Sequence, residues 1–158
     1  MCGIAALLSR TDERNLEDIV ESVESISNRG YDSIGMVVDG LHIVKRAWVD
    51  EPAFPRWLAA LTKVSTRDQF QRGQSFVCHT RWATHGPKTE LNAHPHSDRR
   101  HESHLVHNGI IHNYRALRRQ VPWCTTQTDS EVLVQLWGEL CQTSVDAYEA
   151  FRDMVAQC

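Results

Sequence analysis

The chain opens Met1-Cys2-Gly3-Ile4. Initiator methionine is cleaved when the following side chain is small, so Cys2 is expected to become the N-terminal residue. It would then carry a thiol nucleophile together with an α-amine whose reference pKa, about 7.7 to 8.0, suits a general base near neutrality. Taken alone, Cys2 also reads as a small buried hydrophobe at the head of a strand. A second concentration of chemistry lies further on. Eight of the nine histidines fall between His79 and His112, including His94-x-His96 and the series His101, His104, His107, which raises zinc ligation. No cysteine or carboxylate accompanies that spacing, so no metal and no other cofactor is expected.

Elements able to position these groups can be read from periodicity. Gly3 to Leu8 is a short apolar run suited to a buried strand, which puts residue 2 at the strand's mouth. Leu16, Ile19, Val20, Val23 and Ile26 recur at helical spacing, and Asn28 with Gly30 supplies a stop, predicting a helix from about 12 to 27. Ile34 to Val38 and Leu41 to Arg46 form an antiparallel pair around Asp39-Gly40, a type I′ turn signal. Pro52 opens a short helix carrying Phe54, Trp57, Leu58 and Leu61, and Thr62 to Gln74 is polar and irregular. Ser75 to Thr80 reads as a strand leading into a loop over Arg81 to Arg100, too long for a mere connector. His104 to Val106 is a short strand, and a helix begins near Asn113. Thr128 and Glu131 make a capping box ahead of Val132, Leu133, Leu136, Trp137 and Leu140, and Ser144 caps a last helix bearing Tyr148, Phe151 and Val155. One α+β unit is predicted, with no repeat or linker.

Six blocks occur in order along this framework: Met1-Cys2-Gly3-Ile4, Arg29-Gly30-Tyr31-Asp32-Ser33, His79-Thr80-Arg81-Trp82-Ala83-Thr84-His85-Gly86, Asn92-Ala93-His94-Pro95-His96, His107-Asn108-Gly109-Ile110-Ile111 and Thr128-Asp129-Ser130-Glu131. The set resembles the class II, N-terminal nucleophile glutamine amidotransferases, and most of all the glutaminase domain of the glutamine–fructose-6-phosphate aminotransferase family. The resemblance implies an αββα sandwich with the nucleophile at the end of a central strand. It implies that Cys2 attacks the side-chain amide of glutamine to give a thioester, and that the Asn108 side chain and the Gly109 N–H hold the oxyanion. Arg81 and Asp129 would bind the substrate's α-carboxylate and α-ammonium, a planar fork for the one and a compact acceptor for the other. Trp82, Thr84 and His85 would lie in or beside the same pocket, with Arg29 and Asp32 shaping it, either directly or as a structural pair. The bland readings are a surface Arg81, a core Trp82, an Asp129 that only favours a helix N-terminus and an Asn108-Gly109 tight turn. His112 stands where the family more often has an acidic residue.

The resemblance covers one glutaminase domain over residues 1–158, expected to be shortened at its C-terminal end and without sugar isomerase domains. An incomplete sandwich would expose a strand edge or apolar surface, so self-association or a separate acceptor-binding enzyme is expected, with Phe151, Met154 and Val155 as contacts. A catalytically weak glutamine-binding or regulatory module is the alternative. Composition agrees with a soluble domain: 17 basic against 20 acidic side chains give a net charge of −3, which supplies no overall attraction to nucleic acid or an anionic membrane. The five cysteines make an odd set with no CxxC pair, pointing to a reducing cytoplasm. No basic-then-apolar leader and no stretch of about 18 apolar residues is present.

Overall fold

Four strands build the main sheet, and their alternate residues differ in polarity. β1 (Gly3–Leu8), β3 (Ser33–Val38), β4 (His42–Ala47) and β6 (Ser75–Arg81) line up in the order β1-β6-β3-β4, each neighbouring pair antiparallel. The computed structural model describes residues 2–8, 14–30, 32–48, 53–61, 72–73, 75–83 and 86–158. On one face, Ile34, Met36, Val38, Val44, Phe76 and Cys78 bury against α1 (Leu16–Ser27) and α2 (Ala53–Leu61), whose Ile19, Val23, Trp57 and Leu61 complete an apolar core. The period of two in a strand makes the intervening residues face the other way, and on β3 and β6 these include Ser33, Gly35, His79 and Arg81 at the end nearest Cys2, with Val37 and Val77 beyond them.

That second face is covered by the polypeptide around residues 93–97. A Cβ on Gly35 would run into the His94 carbonyl, so only glycine lets the segment approach β3 so closely. Lys45 clamps it by donating to the carbonyls of Ala93 at 3.0 Å and Pro95 at 2.9 Å. β7 (His96–Ser97) and β8 (His104–Leu105) then pair as a small second β layer, on which α4 (Asp129–Thr143) packs. Preceding it is the single turn α3 (Tyr114–Leu117), and α5 (Ala147–Ala156) follows. Leu117, Val121, Val132, Leu133, Leu136 and Met154 form their core. The order of layers is helix, sheet, sheet, helix, as the resemblance implies, with the second β layer reduced to two strands among the described residues.

Several boundaries differ from the sequence reading. Helix α1 begins at Leu16, because Arg14–Asn15 (β2) is drawn into an antiparallel pair with Arg72–Gly73 (β5). The second hairpin strand starts at His42: Asp39 and Gly40 take the expected positive φ of 50° and 66°, but Leu41 also joins the turn, its N–H donating to Val38. Thr128 caps α4 as predicted, accepting from the Glu131 N–H. The cap of α5 is Asp146, which accepts from the Glu149 N–H at 2.8 Å, while Ser144 terminates α4. Met154, expected at the surface, is buried with Ala150 on the face of α5 that meets α4, leaving Phe151 and Val155 exposed. On β1 the residues facing away from the helices are bare: Ile4 is 41% and Leu8 81% exposed at the sheet's edge. The short helix expected near Pro52 is α2, while Pro52 itself and most of the stretch 62–74 lie outside the described residues. No helix among the described residues is long and apolar enough to cross a membrane.

Candidate active site

Cys2 sits just before β1, held where that strand meets the end of β6. The Gly3 N–H donates to Thr80 Oγ1 at 3.1 Å, and the Thr80 hydroxyl donates in turn to the Ile26 carbonyl at the end of α1. The thiol lies against Trp82: the Trp82 N–H donates to Sγ at 3.2 Å, and Sγ lies 3.5 Å from the Trp82 carbonyl. A cavity of about 560 Å³ opens in front of it, lined by Cys2, Arg29, Arg81, Trp82, Asn108, Gly109 and Asp129 among others. Seven of the ten residues singled out in the sequence therefore converge on one cavity from five separate segments. Thr84 and His85 lie outside the described residues.

Asp32 is the member that does not line the cavity. It is buried, with one oxygen 2.6 Å from Lys88 Nζ and the other accepting from the Ala83 N–H at 2.8 Å, so it ties down both ends of the stretch after β6. Its ionic partner is Lys88, not Arg29. Gly30 beside it would drive a Cβ to 2.7 Å from the β6 backbone at Thr80 and Arg81, which brings Arg29 close to the strand carrying Arg81.

The cavity carries opposite charges on its walls. Arg81 is only 4% exposed, and burial lowers its pKa from the usual value while Cys2, Asp32 and Asp129 oppose the fall. Asp129, in the first turn of α4, accepts from the Ile111 N–H at 2.8 Å. It thus anchors the turn that presents Asn108 and Gly109 as well as supplying an anion. Neighbouring Glu131 is pushed up by burial, but hydrogen bonds from Thr125 and Thr126 outweigh that and hold it below 4.5. Asn108 donates from Nδ2 to the Cys2 carbonyl at 3.2 Å, so its amide is adjacent to the nucleophile. A Cβ on Gly109 would lie 2.5 Å from His107 Nε2, so any side chain there would have to displace that ring.

Sequence reasoning undervalued the histidines. His79 and His94 line the cavity, their rings 4.2 Å apart, and His94 meets His96 at 4.6 Å. Burial drives His79 down to about 4 and His96 to about 3, with His94 lowered as well, so all three are neutral near pH 7. His107 also faces the cavity and hydrogen-bonds Ser130 Oγ through Nδ1 at 3.1 Å. The signal available in the sequence was the two-residue period that puts His79 on the same face as Arg81. No group of three or more His, Cys, Asp or Glu side chains is poised for a metal among the described residues.

Comparisons with known proteins bear on this arrangement. Residues 64–155 match the family described as glutamine amidotransferase domain. Curated relatives include the isomerizing glutamine–fructose-6-phosphate aminotransferases of Sulfolobus acidocaldarius, 34% identical over 98% of this chain and 26% of that protein, and of Bacillus licheniformis, 36% identical over 96% and 24%. The chain thus spans about a quarter of the length of these relatives. Among solved structures, the glutamine phosphoribosylpyrophosphate amidotransferase of B. subtilis superposes with a TM-score of 0.70 at 17% identity, covering 99% of this chain and 33% of that one. A structure described as the allosteric regulatory enzyme of purine biosynthesis gives 0.71 at 18% identity, with the same coverage.

Proposed function

The chain belongs to the glutamine amidotransferase domain family, and from that premise we propose that it hydrolyses glutamine to glutamate and ammonia through a thioester on Cys2. The observation that carries this reading is the meeting of Cys2, Asn108, Gly109, Arg81 and Asp129 around one cavity. With Met1 removed, the Cys2 α-amine takes the thiol proton as sulfur attacks the side-chain carbonyl of glutamine. Negative charge passes to the carbonyl oxygen, where the Asn108 Nδ2 and the Gly109 N–H receive it. The tetrahedral adduct collapses, the C–N bond breaks, and the α-ammonium returns its proton to the leaving nitrogen, releasing ammonia. Water then attacks the thioester with the amine again as base, and glutamate departs with the thiol restored. Arg81 holds the α-carboxylate and Asp129 the α-ammonium, fixing the amide against sulfur. Trp82 stands at the rim of the pocket and Arg29 adds a second cation; the parts the resemblance gives Thr84 and His85 in glutamine binding fall on residues outside the described ones.

In this reading residues 1–158 are a glutaminase domain acting in the cytoplasm, and its ammonia goes to an acceptor-binding domain or enzyme. Aminosugar synthesis is the destination suggested by the fructose-6-phosphate aminotransferase relatives. Mass spectrometry of the purified protein together with a glutamate-release assay tests the core of it. A chain beginning at Cys2 is expected to release glutamate and Cys2→Ala to release none; full activity in protein retaining Met1 would exclude an N-terminal nucleophile.

A further inference from the structure

The side-chain amide of Asn108 has two ends, and only one of them serves an oxyanion. Its Nδ2 faces the Cys2 carbonyl at 3.2 Å and its Oδ1 faces His79 Nε2 at 2.7 Å. A backbone carbonyl can only accept, so the end facing Cys2 must be the NH₂ group, and the end facing His79 must be the oxygen. His79 Nε2 must then carry its proton. His79 is 1% exposed, fixed on β6 two residues before Arg81, and its ring is backed by His94 at 4.2 Å. Asn108 itself is solvent-exposed on a loop and has no other rigid holder among these contacts.

Resting on the glutaminase reading, we propose that His79 is a positioning residue: its Nε2–H pins Asn108 Oδ1 and so keeps the amide N–H aimed at the reacting carbon's oxygen. Without it the amide can rotate, and in half its orientations an acceptor would face the developing negative charge. An oxyanion donor misplaced in this way acts on turnover and leaves substrate affinity almost untouched. Its hydrogen bond goes to Asn108, and the sulfur's hydrogen bonds go to Trp82, so on this proposal His79 acts through Asn108.

The test compares two amide substitutions of similar polarity. Glutamine carries an N–H donor near the place of histidine Nε2, whereas asparagine carries one near Nδ1 and does not reach Asn108. His79→Gln is expected to keep kcat within about threefold, and His79→Asn to lose about 10- to 100-fold in kcat with KM within about threefold. In an Asn108→Ala background the His79→Asn change should cost nothing further, because nothing remains to be positioned. Equal losses in both His79 variants, a loss that falls on KM, or an undiminished His79→Asn effect without the Asn108 amide would overturn the proposal. Unchanged kcat in Asn108→Ala alone would instead sink the oxyanion assignment on which it rests. Thermal melts of all four proteins separate either result from a folding defect.

Discussion

The two faces of the main sheet are made by the same strands and do opposite work. Toward α1 and α2, β3 and β6 present Ile34, Met36, Val38, Phe76 and Cys78, all buried in a continuous apolar core. Toward the cavity the same strands present Ser33, His79 and Arg81, buried and polar, around Gly35, with Val37 and Val77 further along that face; His94, Asn108 and Asp129 meet them. The first face stabilises by removing about 25 cal/mol of unfavourable hydration per Å² of apolar surface. The second carries desolvated polar groups held by a few hydrogen bonds, which cost stability when unpaired. One set of residues makes the chain fold, and the set one position out of phase gives it reactive groups in fixed places.

The contrast is greatest for the thiols. A diazoketone analogue of glutamine should label Cys2 and leave Cys78 unmodified, since burial pushes Cys78 up to about 12 and Cys124 to about 11. Peptide mapping reads the result, and label on Cys78 would mean that the apolar face opens readily. Acid should strike the polar face next. Unfolded imidazoles take up protons below about pH 6.5, whereas His79 and His96 do so only near 4 and 3, so stability is complete above 6.5 and falls as the pH drops toward 4. At pH 5 each contributes a loss of about 2 kcal/mol, about 4 together, which urea melts at pH 7.5 and 5 should resolve. His94 and, at lower pH, Glu131 act with the same sign.

On the apolar face, Met36→Ala should cost about 2 to 5 kcal/mol in a urea melt while kcat, measured where the variant is folded, stays unchanged. A change in kcat would show the faces to be coupled. The smallest effect expected is on substrate binding. Arg81→Ala and Asp129→Asn should each raise KM by about 10- to 100-fold, the worth of a charged hydrogen bond, with kcat altered far less. Asparagine is the sharper choice at 129 because it keeps an acceptor for the Ile111 N–H and removes only the charge. Glutamate release over a range of glutamine concentrations gives both constants.

What the sequence disclosed follows the same division. Apolar periodicity placed β1, β3, β6, α2 and α4 closely, since burial of one face or stripe is a local property of the pattern. Ordered motif blocks brought Cys2, Arg81, Asn108, Gly109 and Asp129 together, although they lie up to 127 residues apart in sequence. The misses were long-range pairings of polar groups. Nothing local in Arg14-Asn15 announces a partner at Arg72-Gly73, and nothing in Asp32 reveals that Lys88 rather than Arg29 neutralises it. Asp146 displaced Ser144 as the last cap because α5 starts two residues later than the spacing suggested.

Gly3 gives the neighbourhood of the nucleophile an unexpected mutational signature. Its backbone is stitched to Thr80, and a Cβ there would sit 2.8 Å from the Thr80 hydroxyl oxygen and 2.9 Å from Ile26 Cβ. In a library with codons 2 to 8 randomised and selected only for folded protein, position 3 should therefore return glycine almost alone, whereas position 4, whose side chain reaches solvent, should accept many letters. Under that selection a position that touches no substrate would carry more information than the nucleophile beside it, for steric reasons alone.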